Sequence, residues 1–144
     1  MSPTAHNGAD LVVRLYELRL REPYLSAARW FDDSFEASSW TELRGRYPRG
    51  SREYYSLQLV LEHWELVGAL LTAGQIDEGL LFDATGEHLS VWEKVQPWLE
   101  DARAELGSPQ LFENVQLLVE RHARWQRSQP PKNARVAAAE VQAG

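Results

Sequence analysis

The sequence predicts an all-α protein, a compact bundle of five or six helices with a disordered C-terminal tail, and three observations carry that prediction. Proline and glycine divide the 144 residues into helical lengths. Apolar residues recur three and four apart, without the long alternation that marks a half-buried strand. The segment 51–73 is apolar over more than half of its helical circumference, so it belongs at the centre, packed on several sides.

Taken in order, the first helix is expected over about 9–21, with Leu11, Leu15 and Leu18 on one face. Pro23 suits the first turn of a second helix reaching about Phe35, where Tyr24, Ala28, Phe31 and Phe35 repeat at helical spacing. Ser39 caps a short turn with Trp40 and Leu43, followed by an arginine-rich loop, 44–52. In the central helix, Leu57, Val60, Leu61, Trp64, Val67 and Leu71 share one face, and Leu59, Leu66 and Leu70 widen it. Gly68 lies on the packed side and allows a close crossing, and Gly74 is the C-terminal stop. A short turn over 77–82 leads to Thr85-Gly86 and a helix reaching about Leu106, with a kink or break expected at Pro97. Ser108-Pro109 reads as a cap and first helical position for a last helix ending near Arg127. Residues 1–8 are expected to be flexible, 9–127 to form one helical domain, and 128–144 to be a disordered tail, with 137–142 transiently helical.

Composition narrows the function classes. With no cysteine, disulfides, thiolate metal sites and cysteine nucleophiles are excluded. The start of the chain lacks a cationic region followed by an apolar run, and the most apolar stretch, 57–73, contains Gln58, Glu62, His63 and Glu65. A cytoplasmic protein with no membrane partner is therefore expected. Nucleotide-binding glycine patterns and serine-nucleophile motifs are absent.

Four groups of residues are candidates for chemistry or recognition. His63, His88 and His122 fall on the apolar faces of three different helices, as zinc ligands in a helical bundle would. Burial as partnered boundary residues is the plainer reading. Arg44, Arg46, Arg49 and Arg52, with Tyr47 between them, form a loop suited to a phosphate-bearing ligand. An overall charge of −6 makes nucleic acid a poor partner. Of six tryptophans, Trp64 and Trp92 belong to the core, while Trp40, Trp98 and Trp125, with Arg121 and Arg124, are candidate interface anchors. The carboxylates Glu62, Glu65, Asp77 and Glu78 read as solvated helix surface. Charge is also segregated: residues 62–113 carry a net of −9 and residues 120–144 a net of +3. Such a chain pairs with a copy of itself or with a complementary protein partner, or its two ends meet within the monomer.

The run Leu61-Glu62-His63-Trp64-Glu65, then Gly74-Gln75-Ile76-Asp77-Glu78, Trp92 and Pro97, resembles a set of small bacterial helical proteins of unknown function. The likeness spans about 11–118. It implies a prokaryotic cytosolic helical protein and brings no activity with it. The leading expectation is a non-enzymatic helical protein–protein interaction or regulatory module without a cofactor, self-associating as a homodimer. The alternatives are a zinc-dependent hydrolase using the three histidines and a binder of phosphate ligands or nucleic acid through the arginine loop.

Overall fold

Eight helices follow one another along the computed structural model, which describes residues 3–143: α1 (Pro3–Arg19), α2 (Tyr24–Asp33), α3 (Trp40–Arg46), α4 (Arg52–Thr72), α5 (Glu78–Ala84), α6 (Glu87–Glu105), α7 (Glu113–Ser128) and α8 (Lys132–Ala143). There is no strand among the described residues. The all-α class stands, with eight helices in place of five or six. The two short turns read from sequence are seven-residue helices, each finished by its own cap. The Ser39 hydroxyl accepts from Glu42 N–H at the start of α3, and the Asp77 carboxylate accepts from Leu80 N–H at the start of α5. The third addition is α8, in the segment expected as tail, where Val136 and Val141 are exposed. At the other end α1 already begins at Pro3, and Gly8 is buried against the backbone of 75–77. Residues 1, 2 and 144 lie outside the described residues.

The central helix is α4, in contact chiefly with α7 and α2, while α6 packs on α7 and α3. The Ser51 hydroxyl caps it, and Gly74 just beyond its end takes φ +75°, a left-handed conformation that favours glycine. Leu57, Val60, Leu61, Trp64, Val67 and Leu71 are all buried, as their spacing predicts. The packing is narrower than the apolar arc, however: Leu59 and Leu70 are only partly buried and Leu66 is exposed. Pro97 does not break α6, which continues through it with the proline on the solvent side.

The largest departure from the sequence reading is the start of α7. Ser108-Pro109 does not begin that helix. Phe112 precedes it at φ 55° with no side-chain cap of its own. The cap comes from α4: the Glu65 carboxylate accepts from Asn114 N–H at 3.1 Å, Asn114 Nδ2 at 3.0 Å and Val115 N–H at 3.0 Å. Glu65 is thus a partly buried capping group rather than solvated surface. One turn on, Gly68 allows the crossing, since a Cβ there would stand 2.2 Å from the Asn114 carbonyl oxygen. Lys94 of α6 does the same for the other polarity. Its ammonium donates to the carbonyls of Phe31, Asp32 and Phe35 at 2.6, 3.0 and 3.3 Å, neutralising the C-terminal end of α2.

No described helix is long and apolar enough to cross a membrane.

Candidate functional site

Helix periodicity places His63 at the edge of α4's buried face, His88 in the first turn of α6 and His122 in the last half of α7. Two of the three meet. His88 Nε2 and His122 Nδ1 lie 2.7 Å apart, so one ring donates and the other accepts. Both are buried, and Phe82 stacks on His122 at 4.5 Å. His63 stands apart, with Trp64 packed against it at 4.9 Å and against His88 at 5.4 Å. The three-histidine zinc site is therefore corrected: the indole of Trp64 keeps His63 from the pair. The pair spends on its mutual hydrogen bond the two nitrogens with which it could face one ion. Among the described residues no group of three His, Cys, Asp or Glu side chains is placed to hold a metal.

Burial sets the protonation of all three. His88 is lowered to about 3 by burial first, then by His122 and Arg19, and His63 to about 4 by burial and then Arg19. Burial lowers His122 as well. All three are neutral at pH 7. The Nδ1 of His88 and the Nε2 of His63 are buried with no hydrogen-bond partner among the described residues.

Beside this line of rings α1, α4 and α5 enclose a groove of about 420 Å³. Its floor is His63, Trp64 and Val67, one wall is Val12, Val13, Leu15, Tyr16 and Arg19, and the other is Leu80, Leu81, Ala84 and Thr85. The lining is almost wholly apolar, and its one cation is already engaged. Arg19 forms an ion pair with Glu87, and its guanidinium lies 5.1 Å over the Tyr16 ring and 5.2 Å over Trp64. Tyr24 completes the arrangement, accepting from Trp64 Nε1 at 3.0 Å and donating to Glu87 at 3.4 Å. Burial, and then the Glu87 carboxylate, raise the Tyr24 hydroxyl well above its usual range, so it stays protonated. The rim is open: Val13 is 55% exposed, Tyr16 54% and Leu80 39%.

Sequence reasoning missed Val13, Tyr16, Arg19, Glu87 and Leu80. The signal available was α1 itself, where the apolar Val13 and Tyr16 stand three apart beside the buried Val12 and Leu15.

The expected interface anchors divide. Trp40 and Trp98 are 7% and 2% exposed and pack against each other at 5.9 Å, so they are core and not anchors. A proline neighbour and an adjacent loop suggest otherwise, but α3 packs on α6 and lays Trp40 against Trp98. Trp125 is partly buried against Phe82. Arg121 pairs with Glu78 at 3.0 Å, and exposed Arg124 lines a shallow cleft with Trp125. The segregated charges meet inside the monomer here and again at Lys132 and Asp83, 2.6 Å apart.

The arginine loop also divides. Arg46 is spent on Glu42 and the Glu36 carbonyl. Arg52 lies exposed in the first turn of α4. Arg44 and Arg49 line a cavity of about 470 Å³ with Trp40, Tyr47, Pro48, Tyr54, Glu105 and Leu106.

No curated protein and no solved structure matches the chain. From residue 4 to residue 125, the stretch holding α4 with its Trp64-Glu65 pair and the groove, the sequence matches one family, and the chain belongs to it: the domain of unknown function DUF4760.

Proposed function

We propose that this chain is a non-enzymatic helical interaction module, and that its recognition face is the groove between α1 and α5 on the floor of α4. The observation that carries the reading is the rim. Apolar groups half open to water beside an apolar hollow are what a binding surface leaves uncovered. Four polar groups in and around the hollow are already engaged. Arg19, Glu87, Tyr24 and Trp64 satisfy one another, and neutral His63 is packed between Tyr24 and Trp64. That arrangement favours binding over group transfer.

The occupant we infer is a second copy. Val13 and Tyr16 project from α1 as knobs along the same opening that forms a hole. Knob and hole side by side on one face are self-complementary, as a two-fold interface requires. The charges argue less for this, because the acidic and basic segments already pair within the monomer.

The test is native mass spectrometry with sedimentation equilibrium at micromolar concentrations, on the parent and on Tyr16→Glu. A dimer that Tyr16→Glu weakens by tenfold or more supports the reading. A monomer throughout, or a dimer indifferent to both Tyr16→Glu and Leu80→Glu, overturns self-association through this face.

A further inference from the structure

The cavity at the arginine loop lies outside that groove and has a different chemistry. Its walls are aromatic, from Trp40 on α3, Tyr47 in the loop and Tyr54 in the first turn of α4. Two guanidinium groups stand at it. Arg44 is balanced by Glu105 at 2.6 Å and lies over the Trp40 ring at 5.9 Å. Arg49 makes no ion pair among the described residues and is exposed. One positive charge at the cavity is therefore left over. Within the wall, Trp40 is more than nine-tenths buried, and its Nε1–H donor finds no acceptor among the described residues. That N–H lies behind the wall, out of reach of a molecule entering the cavity, so Trp40 contributes its ring edge and not a hydrogen bond.

From this juxtaposition we propose a small-molecule site for a planar aromatic ring carrying a single phosphate, the class to which aryl phosphates and nucleoside monophosphates belong. The ring stacks on partly buried Tyr54, as flat π-systems do on aromatic walls, while Trp40, already covered by Trp98 and Arg44, closes the inner side. The phosphate takes the fork of Arg49, whose planar set of donors matches phosphate oxygens in pairs. A volume of about 470 Å³ is in the range of small-molecule sites, roughly 300–1,000 Å³. Arg46 has no part in it, being held by Glu42 and the Glu36 carbonyl.

Phenyl phosphate, inorganic phosphate and benzyl alcohol, titrated separately into the full chain, separate the ring from the charge. The readouts are tryptophan fluorescence and the indole N–H resonance of Trp40. Phenyl phosphate is expected to bind saturably and shift the Trp40 signal, with each single-feature probe at least tenfold weaker. Arg49→Gln, in an exposed loop where folding is not at stake, is expected to weaken phenyl phosphate tenfold or more and to flatten its salt dependence. Tyr54→Leu removes the open stacking wall, and is expected to weaken phenyl phosphate severalfold. Equal binding of benzyl alcohol and phenyl phosphate overturns the proposal. So does an Arg49→Gln protein that binds like the parent, or the absence of saturable binding by any probe.

Discussion

Glu65 and the buried histidines show at the level of single residues how little of this molecule's polar chemistry faces solvent. Glu65→Ala removes an acceptor from three N–H donors at once, two of them on the backbone of α7. A loss of about 2–4 kcal/mol in urea unfolding is expected, since hydrogen bonds to a charged group are worth roughly 1.5–3 kcal/mol each before compensation by water. Glu65→Gln, which keeps the shape and loses the charge, is expected to recover part of that. Gly68→Ala faces a backbone carbonyl, not a flexible side chain, so helix separation is its only relief. It is expected to cost more than the ~1 kcal/mol that alanine ordinarily gains over glycine in a helix. The histidines give a pH dependence with a definite sign. Their folded pKa values are depressed, so the unfolded chain binds more protons below pH 6.5, and stability falls as the pH drops. Between pH 6.5 and 5, His63 and His88 are each expected to cost about 2 kcal/mol, at 1.36 kcal/mol per pH unit. Urea titrations at those two pH values check this. His88→Phe should flatten the slope, and an unchanged slope would remove His88 from the account.

Helix ends were the least legible feature of the sequence. The caps at Ser39 and Ser51 are local, a hydroxyl reaching three residues on, and could be read directly. The caps from Glu65 and Lys94 cross about 50 and 60 residues of chain, and no local pattern marks them. That is why Ser108-Pro109 was mistaken for the start of α7 and Glu65 for exposed surface. The buried face of α4 was legible because six large apolar side chains repeat on it. The open side holding Leu66 was not, because periodicity records where apolar groups are and not whether a neighbour covers them. The same limit hid the groove. Its floor residues were identified as core, yet its rim on α1 and α5 depends on how far apart those helices stand. Convergence of His88 with His122, and the exclusion of His63, likewise rest on helix placement. For Lys94, replacement by Met retains the stem over Phe31 and removes the ammonium from three carbonyls. A loss of about 1–3 kcal/mol is expected. Hydrogen exchange should show the faster opening concentrated in the last turn of α2.

Across the whole molecule, the core is drawn from every helix but the last. It runs through α1 to α7, whereas the described side chains of α8 show exposed valines and an ion pair from Lys132 to Asp83. Such pairs at the surface contribute roughly 0–1 kcal/mol. Removal of 130–144 is therefore expected to shift the unfolding free energy by less than about 1 kcal/mol, measured by urea titration of the shortened chain. A larger loss would mean that α8 covers something the side chains described on it do not. The acidic middle and the basic end meet in two ion pairs, Glu78 with Arg121 and Asp83 with Lys132, so part of the segregated charge is matched within the monomer.

The cap that α4 supplies to α7 also bears on how the chain acquires its structure. A helix that ends in its own serine can form alone, at least fleetingly, and dock afterwards. The first turn of α7 has no such option, since the Asn114 and Val115 N–H groups gain their acceptor only when Glu65 arrives on an already helical α4. The start of α7 and its docking are then one event, and a fragment beginning after α4 inherits an unfinished helix. Separately produced halves, cut in the 73–77 loop, should each be poorly helical and gain helix together on mixing.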